Sequence, residues 1–251
     1  MVYSKGLLIL REVDMRRFTP RIALAAVLLV AALGAGTAPI FLRPAAIDSV
    51  KLLPAPVAEN SAEAKAEIDL LLALQTSRTP AEIARVKSEA GLKFTAFESV
   101  FGKWFTAENL PQTDAFFKTV DAEIKIFTRP AKDHFRRRRP ALVDKRIKPL
   151  FDVGNDPSYP SGHATRGMVF ALVLADAFPE KRETLLNRGQ EIGWDRCIAG
   201  VHYPSDVVAG RVLGQAVAQA LLESPAFKKE LDKAKAEIEA AEKAHPADGE
   251  K

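Results

Sequence analysis

Three short segments in the second half of the chain combine basic side chains, histidines and an aspartate. The first runs from Lys132 to Pro140, the second from Tyr159 to His163, and the third from Asp195 to Asp206. Cationic side chains neutralise a bound anion, imidazoles transfer protons near neutral pH, and a carboxylate can orient an imidazole. If the fold brings these segments together, the chemistry they suit is the binding and processing of a small oxyanion.

The second segment, Pro160-Ser161-Gly162-His163, precedes an apolar stretch that predicts a buried helix. Unpaired backbone N–H groups and the helix dipole attract an anion to a helix N-terminus, and Gly162 would let it approach closely. Ser161 can add a hydroxyl donor, and His163 would stand beside the anion as a proton donor or acceptor. By itself this segment leaves open a plain helix cap with a surface histidine.

The third segment places Arg196, His202 and Asp206 at intervals of six and four residues. An aspartate four residues after a histidine, across a helix start, can accept a hydrogen bond from one ring nitrogen. That bond fixes the tautomer and leaves a nucleophilic lone pair on the other nitrogen. Pro204 suits a first helical turn, so a helix should begin directly after His202. The alternative is a structural His–Asp pair.

The first segment supplies further positive charge. Lys132 and Arg139 are seven residues apart, which on a single helix would place both on one face. With Arg196 they would bring three cations to one anion, and the planar guanidinium groups match phosphate oxygens especially well. Taken alone, the run Arg136–Arg139 fits equally well a solvated or nucleic-acid-binding stretch.

In this order and spacing the segments resemble the phosphatidic acid phosphatase type 2 superfamily, which includes bacterial class A non-specific acid phosphatases and vanadium haloperoxidases. The family pattern is Lys-x6-Arg-Pro, then Pro-Ser-Gly-His, then Ser-Arg-x5-His-x3-Asp. Every defining position matches except Asp195, where the family has Ser. The match spans residues 132–206, and the chain looks most like the class A acid phosphatases. We expect Asp195 to point away from Arg196, because neighbours on a helix do not face each other.

The resemblance implies an acid phosphatase that hydrolyses phosphate monoesters by double displacement. His202 would attack phosphorus and form a phosphohistidine, Asp206 would orient that ring, and His163 would protonate the leaving group and then activate water. The groups that would hold the phosphoryl oxygens are Lys132, Arg139, Ser161, Gly162 and Arg196. No cofactor or metal is expected, since no histidine pair or carboxylate cluster has ligand spacing. Vanadate should inhibit as a phosphate-like oxyanion.

Helical spacing of apolar residues without sustained period-two alternation predicts an all-α protein. The resemblance specifies a compact helical bundle of the acid phosphatase/vanadium haloperoxidase type. The predicted helices cover 63–74, 79–91, 94–105, 111–127, 161–178, 179–196, 205–222 and 227–244, with loops at 128–131 and 150–160. We divide the chain into a leader with its lead-in (1–46), a catalytic domain (47–226) and a charged, solvated C-terminal helix and tail (227–251).

The leader accounts for the net charge of +4. Residues 1–46 hold six cations and two anions, and the remainder holds 30 of each, which argues against nucleic-acid binding by the body. An uncharged stretch from Ile22 to Leu42 follows a basic segment, a pattern that predicts a secretory signal and a periplasmic or otherwise extracytoplasmic location. An uncleaved membrane anchor is the alternative. The single cysteine, Cys197, excludes an intrachain disulfide.

The sequence is also compatible with other functions. A retained leader would suit a membrane-anchored lipid phosphate or isoprenoid pyrophosphate phosphatase. A vanadate-dependent haloperoxidase would use the same pocket, although those enzymes are usually much longer. An exported polyanion-binding module could use Arg136–Arg139 without turnover. The sequence leaves the physiological substrate undetermined, and it leaves open whether the chain forms a homo-oligomer.

Overall fold

The computed structural model describes residues 41–152 and 154–246, so the predicted signal or anchor lies outside the described residues. Within these ranges every regular element is helical, which confirms the all-α prediction. The longer helices are α1 (Ala62–Ser77), α2 (Pro80–Ser88), α3 (Pro111–Phe135), α4 (Gly162–Ala177), α5 (Arg182–Ile198), α6 (Pro204–Glu223) and α7 (Pro225–Ala244). None of the helices in this part of the chain combines the length and apolar character needed to cross a bilayer.

The helix predicted over 94–105 is only partly formed. A 3₁₀ turn covers Phe94–Phe97, a single α-helical turn covers Glu98–Phe101, and the chain leaves helical conformation at Gly102, where φ is 111°. Short helical segments also occur at Pro44–Ala46, Ser49–Leu52, Pro140–Val143 and Pro179–Lys181. The phenylalanines of the broken segment are nevertheless buried in the main core.

The loop predicted at 128–131 is wrong, because α3 continues through Pro130. A proline inside a helix removes one backbone hydrogen bond and crowds the preceding turn. Phe127 and Ala131, on either side of Pro130, are buried against the core. Tertiary packing of this helix therefore outweighs the local preference of proline for ending a helix.

The expectation that Lys132 and Arg139 share a helix face is also wrong. The helix ends at Phe135, and Arg136 adopts a left-handed conformation with φ of 48°. The chain then turns, and Arg139 is extended (φ −67°, ψ 152°), as is usual for a residue before proline. The two cations consequently converge through a change of chain direction rather than through heptad spacing.

The central helix is α4, which packs against both α5 and α6. A helix that is apolar on nearly all sides must be buried, and most α4 residues after the first turn are. The main core around it is rich in aromatic side chains, among them Phe94, Phe105, Phe117, Phe127 and Phe170. This packing fixes the N-terminus of α4, which carries Gly162 and His163.

The C-terminal helix α7, expected to be solvated, is amphipathic and packs one face against α3. Its buried residues are Phe227, Leu231, Ala234 and Ile238. The Glu237 carboxylate also accepts hydrogen bonds from the backbone N–H groups of Gln112 and Thr113, at 3.1 and 2.7 Å, and so caps the start of α3. The Lys/Glu-rich composition therefore describes only the outer face.

Candidate functional site

The three segments meet at one cavity of about 680 Å³. It opens where the last turns of α3 and α5 approach the first turn of α4 and the residues just before α6. The predicted site residues that line it are Lys132, Arg139, Gly162, His163, Arg196 and His202. Ser161 and Asp206 do not line the cavity; both are fully buried and hydrogen-bonded within this cluster.

His202 is held from both ends of its ring. Its Nδ1 lies 3.2 Å from Oδ2 of Asp206, and Nη1 of Arg139 lies 2.8 Å from its Nε2. A guanidinium can only donate, so Nε2 must be the accepting, unprotonated nitrogen, and the ring proton lies on Nδ1. His202 therefore has its lone pair on Nε2, the nitrogen next to Arg139, which is the tautomer expected for a nucleophile.

The turn between α5 and α6 places His202 beside Arg196. Gly200 has φ of 71°, a left-handed conformation that favours glycine at a helix C-terminus. The N–H groups of Val201 and His202 then both donate to the Arg196 carbonyl, at 3.1 and 3.3 Å. Pro204 begins α6, which confirms the predicted helix start.

Asp206 is fixed by donors other than His202. Its Oδ1 accepts from Nη1 of Arg137 at 2.7 Å, and its Oδ2 accepts from Oγ of Ser158 at 2.5 Å and from the N–H of Tyr203 at 3.0 Å. These hydrogen bonds offset the cost of burying a carboxylate. They also restrict its orientation, so that one oxygen stays directed at the His202 ring.

Lys132, Arg139 and Arg196 form a buried group of cations, only 7%, 6% and 4% exposed. Burial lowers the pKa of Lys132 and of Arg139, and burial together with repulsion from Arg139 lowers the pKa of Arg196 to about 10. Nε and Nη1 of Arg196 find no hydrogen-bond partner among the described residues. Buried guanidinium donors without partners beside a cavity are suited to binding an oxyanion.

His163 enters the cavity from the first turn of α4. Nη2 of Arg166, one turn further along the helix, donates to its Nδ1 at 3.1 Å. The ring proton therefore lies on Nε2, which donates to the Glu89 carbonyl at 3.2 Å. Burial, with repulsion from Arg196 and Arg166, lowers the pKa of His163 well below its usual range.

The pKa of His202 is lowered in the same direction. Burial is the largest cause, followed by repulsion from Arg139, Lys132 and Arg196. Both imidazoles are therefore neutral near neutral pH in this structure. A neutral His202 is ready to act as a nucleophile, whereas His163 needs a bound anion before it holds a second proton easily.

Ser161 is the N-cap of α4 and uses its hydroxyl oxygen for that purpose. It accepts from the N–H of Ala164 at 3.3 Å, and its own N–H donates to the Asp206 carbonyl at 3.0 Å. A Cβ at Gly210 would lie 2.5 Å from the Ser161 carbonyl oxygen, so glycine is required for this approach of α6. Ser161 thus joins the two helix starts, and its contact with a phosphoryl oxygen stays a prediction.

Asp195 points away from Arg196, as expected. Its two carboxylate oxygens accept from Nε and Nη2 of Arg85, at 2.9 and 2.7 Å, in a bidentate pair between α5 and α2. The Asp195 side chain is fully buried. The residue that replaces the family serine therefore joins two helices and does not neutralise the cations of the cavity.

Replacing Asp195 by Ser should change the affinity for inorganic phosphate by less than about tenfold. The same change should lower the free energy of unfolding by about 1–3 kcal/mol, because Arg85 loses its buried bidentate partner. Calorimetric titration with phosphate and chemical denaturation measure the two effects. Asp144→Ser, which removes a surface partner of Arg146, is the control and should leave both little changed. A larger loss of phosphate affinity would show that Asp195 acts on the cavity.

Among the polar residues of the site that were not predicted as site residues are Arg137, Asp156, Ser158 and Arg166. Arg166 had a usable signal, since it follows His163 by three residues on a predicted helix. Asp156 and Ser158 lie in an irregular segment, where periodicity does not indicate side-chain direction. No group of histidine, cysteine and acidic side chains in the described ranges has an arrangement that could hold a metal ion.

Comparison with known proteins gives consistent matches. Residues 122–229 match the family model of the PAP2 superfamily. A non-specific acid phosphatase of Providencia stuartii is 33% identical over 203 residues, which cover 77% of this chain and 82% of that protein. A non-specific acid phosphatase of Salmonella typhimurium is 35% identical over 147 residues, 57% of this chain and 59% of that protein.

The fold has a counterpart among solved structures. The crystal structure of a bacterial vanadium-dependent iodoperoxidase superimposes with a TM-score of 0.54 at 15% identity, covering 71% of this chain and 54% of that one. At this identity the likeness concerns the fold alone. The family-model match encloses all three motifs, and the Providencia relative aligns along most of both chains. The protein therefore belongs to the PAP2 superfamily.

Proposed function

We propose that this protein is a metal-independent acid phosphatase that hydrolyses phosphate monoesters through a phosphohistidine intermediate. Its PAP2 membership and relatives named non-specific acid phosphatase support the broader assignment as a phosphatase. One observation carries the finer assignment. The unprotonated Nε2 of His202 lies beside Arg139, and both residues line a cavity shared with Lys132, His163 and Arg196.

In the first step, Nε2 of His202 attacks phosphorus and displaces the alkoxide. Arg139 turns its N–H from Nε2 to a phosphoryl oxygen as the substrate enters, which frees the lone pair. Lys132 and Arg196 neutralise charge on the remaining oxygens, the main requirement of phosphoryl transfer. Asp206 accepts the Nδ1 proton of His202 in a hydrogen bond and stabilises the positive charge that the phosphorylated ring carries.

His163 moves the protons. It protonates the leaving alkoxide, and in the second step it takes a proton from the water that attacks the phosphohistidine. The phosphate dianion offsets the repulsion that Arg166 and Arg196 exert on a protonated His163, so substrate binding raises the pKa of this ring. The proton that His163 needs is therefore held most easily when the substrate is present.

The three buried cations supply the charge neutralisation that metal ions provide in many other phosphoryl-transfer enzymes. No cofactor is part of the proposal. Vanadate presents a similar oxyanion to the same donors, and we expect it to inhibit. A signal or anchor within residues 1–46 would place the enzyme outside the cytoplasm, in the periplasm or an equivalent compartment.

The test is hydrolysis of p-nitrophenyl phosphate at about pH 5–6 in the presence of EDTA, with wild type compared with His202→Ala. Turnover that resists the chelator and depends on His202 supports the proposal. Turnover abolished by EDTA would contradict metal independence. Faster hydrolysis of detergent-dispersed phosphatidic acid than of the soluble ester would favour the lipid phosphatase instead.

The pH profile of kcat/KM should have its maximum below about 6.5, the usual pKa of histidine. His163 must be protonated in the reactive form, so its lowered pKa makes activity fall as pH rises through that value. His202 must be unprotonated, so its lowered pKa moves the rising limb to lower pH than an ordinary histidine would give. Arg166→Gln removes one cation beside His163 and should move only the falling limb to higher pH. Relative to the optimum, kcat/KM at about pH 7 should then rise roughly two- to fivefold.

Lys125→Gln is the matched control for this profile. Lys125 lines the same cavity and pairs with Asp121, as Arg166 does, but it makes no contact with His163. Its removal should leave both limbs in place. If the two variants shift the falling limb equally, the pKa of His163 responds to the total charge of the cavity, and a specific role of Arg166 is refuted.

A further inference from the structure

The Asp156 carboxylate forms ion pairs with two of the buried cations of the cavity, Lys132 and Arg139. Oδ2 of Asp156 lies 2.7 Å from Nζ of Lys132 and 3.0 Å from Nη2 of Arg139. The Asp156 backbone carbonyl also accepts from Nε of Arg139, at 2.9 Å. Across residues 41–152 and 154–246, no other carboxylate forms an ion pair with either cation. Two of the groups proposed to bind phosphoryl oxygens are therefore already paired with a carboxylate of the protein.

Asp156 differs from its partners in exposure. The side chains of Lys132 and Arg139 are 9% and 7% exposed, whereas that of Asp156 is 42% exposed and lines the cavity. A half-exposed aspartate has room to change rotamer, whereas the two buried cations can make only small adjustments. Hydrogen bonds and attraction from Lys132 and Arg139 outweigh its partial burial and keep its pKa below the ordinary value. The carboxylate is consequently charged at neutral and mildly acidic pH.

A second partner for Asp156 lies on the solvent side. Nη1 of Arg129 is 3.4 Å from Oδ1, the oxygen that does not bridge Lys132 and Arg139. Arg129 lies one turn before Lys132 on α3, and its side chain is 62% exposed. A rotation of the carboxylate towards Arg129 would keep its charge paired while it releases both buried cations.

We infer that Asp156 is an internal competitor for the oxyanion: its carboxylate holds Lys132 and Arg139, and the phosphoryl group displaces it towards Arg129. The inference rests on the proposed function in taking this cavity as the phosphate site. It adds a residue that sets the affinity for substrate and product. Asp156 weakens the binding of both, so that the phosphate released by hydrolysis leaves more readily.

The direct test is calorimetric titration of the full chain with inorganic phosphate at about pH 6, in wild type and Asp156→Asn. The variant should bind phosphate about three- to tenfold more tightly, because no carboxylate has to be displaced. Inhibition of p-nitrophenyl phosphate hydrolysis by phosphate should strengthen by the same factor. An unchanged or weaker affinity would overturn the inference and would show that Asp156 positions the cations instead. Asp156→Ser, which also lacks the charge, must agree with Asp156→Asn.

Asp152→Asn controls for the general loss of negative charge. Asp152 lines the same cavity but forms no ion pair with Lys132 or Arg139. Its replacement should change phosphate affinity by less than about twofold. If Asp152→Asn tightens binding as much as Asp156→Asn does, the effect is long-range electrostatics and direct competition is excluded.

Arg129→Gln tests the displaced position through a double-mutant cycle. Without Arg129 the carboxylate should leave the two cations less readily, so phosphate affinity should fall more in the wild-type background than in the Asp156→Asn background. Equal losses would contradict the movement towards Arg129.

Calorimetry requires no turnover, so the inference and the proposed function can fail separately. Tighter phosphate binding by Asp156→Asn without monoester hydrolysis would leave the inference standing and remove the proposed function. If the wild type hydrolyses the monoester but Asp156→Asn binds phosphate no more tightly, the proposed function stands and the inference is overturned. Absence of phosphate binding by both the wild type and Asp156→Asn would overturn the inference, and together with absence of monoester hydrolysis it would overturn the proposed function as well.

Discussion

Replacing His202 by alanine should lower kcat on p-nitrophenyl phosphate by roughly 10⁴-fold or more, which is typical of losing the nucleophile of a double-displacement enzyme. The change removes the only imidazole whose unprotonated nitrogen lies beside Arg139 and whose other nitrogen is held by a buried carboxylate. Arg139 keeps the Val201 carbonyl and Asp156 as partners, so the phosphate site should persist. We therefore expect phosphate affinity to change by less than about tenfold.

A labelling experiment distinguishes loss of the nucleophile from general damage. Brief reaction with radiolabelled substrate, followed by denaturation in base, should leave phosphate on wild-type protein and none on His202→Ala. The control is His134→Ala, which removes an exposed histidine outside the cavity and should retain activity and labelling. Labelling that survives in His202→Ala would show that another residue, with His163 the first candidate, is the nucleophile.

The positions of the two histidines were predictable because local rules place them. Ser161 caps α4 and Pro204 begins α6, as their residue types favour. An aspartate four residues after a histidine, across a helix start, lies within reach of its ring, as His202 and Asp206 show. The sequence therefore indicated the His202–Asp206 pair and the place of His163 with no knowledge of tertiary structure.

The cations were predicted for a reason that proved wrong. The argument for placing Lys132 and Arg139 on one face was their separation by seven residues on a single helix. The helix instead ends between them, and the chain changes direction at Arg136. Local signals favoured a helix end near Pro130, and burial of α3 on both sides of that residue carried the helix on to Phe135, eight residues past its predicted end. Such a balance between local preference and tertiary packing is not visible in the sequence.

The roles of the adjacent arginines depend on partners that are distant in the chain. Arg137 is buried against Asp206 and against Glu67 of α1, whereas Arg138 pairs with Glu59 at the surface. Arg139 turns inward to His202. Four adjacent arginines give no indication of which of them will face the site. The partners that decide this for Arg137 lie about 70 residues away in sequence.

Replacing Asp206 by asparagine should lower kcat by roughly 10³–10⁴-fold with the fold retained. An amide can donate to Nδ1 of His202 and so favours the wrong tautomer, and it does not stabilise the positive charge of the phosphorylated ring. The free energy of unfolding should also fall by about 1–3 kcal/mol, because buried Arg137 loses one of its two carboxylate partners. Steady-state kinetics and chemical denaturation measure the two effects.

Glu67→Gln is the matched control, since it removes the other carboxylate partner of Arg137 and makes no contact with His202. It should cost similar stability and change kcat by less than about tenfold. The comparison separates two ways in which Asp206 can act, directly on the His202 ring or indirectly by holding Arg137 in place. If Glu67→Gln lowers kcat as far as Asp206→Asn does, the indirect role accounts for both variants. If only Asp206→Asn loses activity, the carboxylate acts through the hydrogen bond to Nδ1, as the proposed phosphohistidine mechanism requires.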